Sequence, residues 1–246
     1  MNDTFVQILV SVCAVAIAIA SLMVWSEAST PAPTHTERDI VSVMHTVRDG
    51  DVVLCSGSYD GMRGRSLKTV LGSFFSFIHR GALNTHFSHA GFVFIDDGVP
   101  YVIDTNMGPN VRKTRFDTFV AKYPGNIYIN HVRAVGHPDE SVCERDRIEA
   151  FVRFLLDGHR YSCPIVDVVK MIVTDDRTSG ADAINGRVVD ERKAFCSELV
   201  GYLLYISGAI DGQRVPRNGL FVPGDVGEDL GSFLSDGYTC QMVRVI

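Results

Sequence analysis

Positive charge is what this 246-residue chain is short of. Lys and Arg number 23 against 29 Asp and Glu, for a net charge of -6. A long-range field of that sign repels phosphate backbones, so nucleic-acid binding is disfavoured from the outset. Paired cysteines are missing as well. The six stand at positions 13, 55, 143, 163, 196 and 240, with no C-x-x-C and none of the spacings that zinc sites use, so no structural zinc is expected. Five of them lie beyond the first apolar run, an odd number, so at least one thiol should be free. The stretch from Gly57 to Gly64 lacks the Gly-Lys-Ser/Thr ending of a phosphate-binding loop, and no nucleotide, flavin or metal signature is found, so no cofactor is expected. Internal repeats and low-complexity tracts are absent too. What remains, 46% hydrophobic and 21% charged residues, fits a globular chain with a packed core and excludes a collagenous, coiled-coil or mostly disordered one.

Charge is also absent locally. Phe5 to Trp25 carries none and is dominated by Val, Ala, Ile and Leu. At about 1.5 Å per helical residue this run reaches roughly 30 Å, the thickness of a hydrocarbon core, with Trp25 at the interface. Residues 1–25 therefore read as an N-terminal transmembrane anchor, which places the protein in a membrane as a single-pass chain. The competing reading is a secreted protein released by signal cleavage, for which Ser26-Glu27-Ala28 loosely resembles a cleavage site. Only Asp3 precedes the apolar core, which is too long for a signal peptide and lacks the usual leading Lys or Arg, so the anchor is preferred. Residues 26–37, rich in Ser, Thr, Pro and Ala, read as a polar stalk, and 38–246 as one folded domain.

Within that domain the hydrophobic period changes part-way. Val52 to Cys55 follows the turn signal Asp49-Gly50 and suits a buried strand. Ser66 to Arg80 repeats apolar residues at helical steps, with Gly81 as its stop. Ser88 to Ile95, the loop signal Asp96-Asp97-Gly98, and Tyr101 to Asp104 describe a hairpin, and Asn126 to Arg133 alternates like a strand. Ile148 to Leu156, a segment opened by Pro164, and Phe195 to Ile206 carry helical stripes. A polar loop covers about Thr174 to Arg192, and Tyr238 to Ile246 closes with a strand. Grouped antiparallel strands, then helices, then a last strand predict an α+β domain, an antiparallel sheet packed by helices.

Three residues bear chemistry in this frame. Cys196 stands at a helix start directly after Arg192-Lys193-Ala194-Phe195, where unpaired backbone N–H groups, the helix dipole and nearby cations all favour a thiolate. Those N–H groups could also receive an oxyanion. His89 begins one strand of the hairpin and Asp104 ends the other, so the hairpin can set them side by side near one end of the sheet. Taken singly, each has a plain structural reading: a buried small hydrophobe, a scaffold histidine, a turn-capping carboxylate. Together they form a possible triad, with Cys196 as nucleophile, His89 as proton shuttle and Asp104 orienting the ring.

The order Gly50-Asp51-Val52-Val53, Ser88-His89-Ala90-Gly91-Phe92-Val93, Tyr101-Val102-Ile103-Asp104 and Phe195-Cys196-Ser197-Glu198-Leu199-Val200 resembles the circularly permuted papain-like hydrolases of the NlpC-type superfamily, the YiiX-like and poxvirus-related branch. The resemblance covers about Asp49 to Asp225, with Phe221-Val222-Pro223-Gly224-Asp225 echoing a late loop of those proteins. It implies a permuted papain-like fold, Cys196 as nucleophile, His89 as general base and acid, and a third position that is usually Glu in the relatives and is Asp104 here. Asp is one methylene shorter, so its reach to the imidazole could require a small backbone adjustment or a bridging water.

Other clusters have plainer readings. His79, His86 and His89 have no evident fourth ligand and do not make a convincing metal site. His86 reads as a loop residue near the cleft and Tyr161 as a possible cleft wall. Arg63, Arg65 and Lys68, and Arg112, Lys113 and Arg115, read as solvated faces that could touch anionic headgroups behind an anchor. The sequence thus points to a membrane-anchored thiol hydrolase or acyltransferase acting on an amide- or ester-containing substrate, peptide or lipid. The alternative is a noncatalytic papain-like binding or structural module of a membrane or envelope assembly.

Overall fold

The computed structural model describes residues 40–57, 85–105, 111–123, 125–137, 145–156, 195–215 and 221–245. The apolar run 5–25, the stalk, the expected helices at 66–80 and from Pro164, the polar loop 174–192, His79, Tyr161 and the cluster Arg63, Arg65 and Lys68 lie outside them. Among the described residues no helix is long and apolar enough to cross a membrane.

In chain order the elements are α1 (Ile40–Thr46), β1 (Val52–Gly57), β2 (His89–Asp96), β3 (Val99–Thr105), β4 (Val111–Arg115), α2 (Phe116–Lys122), β5 (Gly125–Ala134), α3 (Arg145–Leu156), α4 (Cys196–Ile206), α5 (Leu230–Phe233) and β6 (Tyr238–Arg244). The strands form one sheet in the order β4-β3-β2-β1-β5-β6, and every pairing is antiparallel. The β2–β3 hairpin turns on Asp97 and Gly98, both with positive φ (47° and 76°). That is the geometry a two-residue Asp-Gly loop supplies, because its twist matches that of the flanking strands.

Alternation along the strands sorts the core into two layers. Val52, Leu54, Ala90, Phe92, Phe94, Ile103, Tyr128 and Val132 pack against Ile148, Val152 and Leu155 of α3 and Leu199 and Leu203 of α4. On the other face Val53, Cys55, Val93, Val102, Ile127 and Ile129 meet Val43 and Val47 of the α1 region and Phe116, Phe119 and Val120 of α2. The sheet is therefore buried on both sides, and a slip of one residue would exchange the two sets. Helix α4 is buried from Ser197 through Leu204, all the way round. The sheet and α3 cover one side of it. Over the other, Phe221 lies so close to Gly201 that a Cβ there would collide with the ring.

Four elements, α1, β4, α2 and α5, were not anticipated from the sequence. β4 reads Val-Arg-Lys-Thr-Arg and exposes most of its side chains, because it is an edge strand whose charges keep its free edge from pairing further. α2 follows it directly, holding Phe116, Phe119 and Val120 in the core.

At the start of β1, the fully buried Asp51 carboxylate gathers the backbone N–H of Arg48 (2.9 Å) and of Val132 (3.2 Å), Nδ1 of His131 (2.9 Å) and the Arg133 guanidinium. Arg133 also donates to the Thr46 carbonyl at 3.0 Å, which ties α1 to the sheet. Burying an unpaired carboxylate is very costly, so this dense satisfaction is the condition for Asp51 being there.

Candidate functional site

The opposite end of β1 carries the candidate chemistry. His89, the first residue of β2, stands opposite Cys55 of β1. Beyond the Phe92–Ile103 pair the register brings Gly91 alongside Asp104, with a Cβ built on Gly91 only 3.6 Å from the Asp104 Cβ. His89 and Asp104 are thus diagonal neighbours on one face, and His89 Nε2 lies 2.7 Å from Asp104 Oδ2. The expected backbone adjustment or bridging water is not needed. The diagonal of an antiparallel pair is short enough for Asp, provided nothing projects between the two residues, and Gly91 meets that condition.

Asp104 has no exposed side-chain surface, so its charge must be met by partners. His89 is one. Arg112 is the other: it stands directly across from Asp104 in the β3–β4 register, donates from Nε to Oδ1 at 3.1 Å and from its terminal NH2 to Oδ2. Burial alone would raise the Asp104 carboxyl, but the bonds and charges of His89 and Arg112 prevail and hold it below the usual carboxylate range.

Cys196 arrives from the other layer. Phe195 is extended (φ -74°, ψ 166°) and turns into α4. The Glu198 carboxylate reaches back to accept the Phe195 N–H at 2.7 Å, so the first turn is locked by its own third helical residue. The Cys196 sulfur faces the His89 ring and the Ala90 backbone N–H closely enough for both to favour its ionised form. With Nε2 committed to Asp104, Nδ1 is the ring nitrogen left for the sulfur.

Burial pushes the Cys196 thiol up, but the His89 charge and hydrogen bond, with the Ala90 N–H, outweigh it and leave the thiol lowered. Burial likewise works against a charged His89. The facing sulfur and Asp104 overcome it and raise the ring to about 10. The two shifts are one fact seen from both ends: the charged imidazole and the ionised sulfur each stabilise the other. Sequence reasoning credited the helix dipole and Arg192 and Lys193 with lowering the thiol. Those two cations lie outside the described residues, and the largest favourable influence is His89.

The described cysteines, Cys55, Cys196 and Cys240, are all free. Burial dominates the other two, raising Cys240 and pushing fully buried Cys55 well up. Cys196 is thus the described thiol with a lowered pKa. Phe119 of α2 stacks on the His89 ring at 6.4 Å between centroids and Tyr123 stacks on Phe119 at 6.0 Å, an aromatic wall that fixes the ring plane.

No family model matches the chain, and no curated protein matches it. Among solved structures it is similar to one described as metalloprotein YiiX, DUF1105, from Escherichia coli O157:H7. The likeness is 15% identity over 79% of this chain and 96% of that one, with a TM-score of 0.46.

The remaining sequence candidates are dispersed. His86 lies 3.6 Å from Glu228 and His89 faces Asp104, so the two described members of the histidine cluster have different partners. Among the described residues no group of three or more His, Cys, Asp or Glu is placed to hold a metal ion. The expected basic face of Arg112, Lys113 and Arg115 is not a free one, because each cation has a carboxylate: Asp104, Asp96 and Asp117 respectively. Arg112 is the site residue that sequence reasoning missed. With one apolar residue in Val111 to Arg115, β4 carries no periodic signal in the sequence that would have set Arg112 beside the hairpin.

The segment 221–229 joins the two halves of the site. Ser197 donates its hydroxyl to the Phe221 carbonyl at 2.6 Å, next to Cys196. Further on, Phe87 lies against Gly227, where a Cβ would be 2.7 Å from the ring, and Glu228 holds the backbone N–H of His86. Asn130 of β5 donates to the Gly227 carbonyl at 2.9 Å. The helix that carries Cys196 and the segment leading into His89 are strapped together by one loop.

Proposed function

We propose that this chain is a thiol hydrolase or acyltransferase with a permuted papain-like domain, in which Cys196 attacks the carbonyl of an amide or ester. The observation that carries this reading is the His89 ring held between the Asp104 carboxylate and the Cys196 sulfur. The thiolate adds to the carbonyl carbon, and the oxyanion is met by backbone N–H groups at the start of α4, which have no partner within the helix. His89 then gives its proton to the leaving amine or alkoxide as the C–N or C–O bond breaks, leaving a thioester on Cys196. Water, or an acceptor amine or alcohol, loses a proton to His89 and attacks the thioester, which restores the thiolate and the imidazolium. Asp104 keeps the ring oriented and its charge stabilised throughout. Attachment to a bilayer through residues 5–25 belongs to the same proposal and makes lipid or lipidated substrates attractive.

Iodoacetamide labelling across pH tests it. The wild-type chain is expected to label at Cys196 well below pH 8, Cys196→Ala to lose that phase, and His89→Ala to push the phase toward the range of an ordinary thiol. Labelling of Cys196 only at the pH of an unperturbed thiol would favour the noncatalytic binding module instead. Ester and amide activity probes, peptide and lipid, then separate the substrate classes.

A further inference from the structure

The proposed mechanism uses Cys196, His89 and Asp104, and leaves one charged group in contact with them unassigned. Arg112 approaches Asp104 from the side opposite His89, in direct register, with two hydrogen bonds that engage both carboxylate oxygens. The planar fork of a guanidinium suits that geometry, where a lysine would offer a single point charge. The result is a row of alternating sign across four elements: Arg112 on β4, Asp104 on β3, His89 on β2 and Cys196 on α4. Asp104 is fully buried and Arg112 is about half exposed, with 44% of its side chain accessible, so the row's buried carboxylate lies between a solvent-reaching cation and the partly exposed His89–Cys196 end.

We propose that Arg112 is a positioning residue of this site, holding Asp104 against His89 and, through them, sustaining the imidazolium–thiolate pair. This rests on the reading of Cys196 as the nucleophile. Among the described residues, the groups facing this row are few. Cys55 of β1 lies close enough to interact with Asp104 and Cys196, and Phe119 of α2 stacks on the ring. Tyr123 bonds to the Cys55 thiol. Among those described groups, Arg112 is the cation that offsets the Asp104 charge from outside the His89–Cys196 pair. Without it, Asp104 would be left with His89 alone, its negative charge would act uncompensated on the sulfur, and the thiolate would form at higher pH.

The test is the pH profile of iodoacetamide labelling at Cys196 in the full chain, for wild type, Arg112→Gln and Arg112→Lys. The expected result is an acid limb moved up by about half a pH unit or more in Arg112→Gln, and by less in Arg112→Lys, which keeps the charge but loses the fork. Should Arg112→Gln fail to fold, the Lys variant alone decides: an acid limb moved upward, by less than about half a pH unit, supports the role, and an unmoved limb overturns it. A limb that stays in place while the rate falls equally at every pH would mean Arg112 is merely structural, and would overturn the proposal. If the wild-type chain itself shows no low-pH limb, the nucleophile reading fails first, an outcome distinguishable from failure of the Arg112 role alone.

Discussion

Gly91 shows how much of the site hangs on a missing side chain. It sits between His89 and Val93 on one strand face, and a Cβ there would strike the Val102 side chain and crowd Asp104. Gly91→Ala should force β2 and β3 apart locally. Overpacking of this kind costs about 1–3 kcal/mol, and an error of about 1 Å in the spacing of reacting groups can cost about a hundredfold in rate. We expect a lower urea midpoint together with slowed Cys196 labelling, and a variant with wild-type values in both measurements would refute the reading of Gly91 as a spacer. At the same scale, Cys55 and Cys240 are held as protonated thiols by burial, so mass spectrometry after brief alkylation at neutral pH should find Cys196 modified ahead of both.

Among the elements, the loop 221–229 is the one that neither strand nor helix periodicity describes, yet it couples α4 to the approach of β2. Ser197→Ala removes the hydroxyl that satisfies the Phe221 carbonyl. Leaving a buried acceptor without its donor costs about 1–3 kcal/mol, which a urea titration would register. The same variant should slow Cys196 labelling by displacing the helix start while leaving the acid limb where it was, since no charge has changed. A moved limb would show that Ser197 acts on the sulfur electrostatically. This contrasts with the Arg112 variants, whose signature is the limb itself.

For the whole molecule, stability should depend on pH through the same loop. Burial raises Glu228 to about 7, against the His86 N–H bond that lowers it, and raises Asp225 to about 6 against its bond from the Val222 N–H. A carboxyl raised in the fold stabilises while it is protonated. Its contribution is complete below the unfolded value, 4.5 for Glu228, and is lost as pH rises through about 7. Between pH 5 and pH 8 the wild-type urea midpoint should therefore fall, and Glu228→Gln should fall less. Equal declines in the two proteins would place the dependence elsewhere.

Much of this architecture could be read before any coordinates. Short apolar runs bounded by turn signals located β1, β2 and β3, loose alternation located β5, the closing strand β6 was placed at the C-terminal end, and the Asp97-Gly98 dipeptide set the hairpin. The stripe from Ile148 marked α3, and the stripe ending before Gly208 marked α4. These signals are local, because burial of one face writes a period of 2 or 3.6 into the chain. His89, Asp104 and Cys196 were legible as candidates for the same reason: each lies at the end of an element that the period defines. Two things were not local. β4 hides its strand character because an edge strand needs few apolar residues, and Arg112 acquires its meaning only once register puts it across from Asp104. Protonation is likewise a tertiary property. The lowering of the Cys196 thiol depends on an imidazole 107 positions away in the chain (196 minus 89), and a Coulomb interaction is set by distance in space, which residue order does not record.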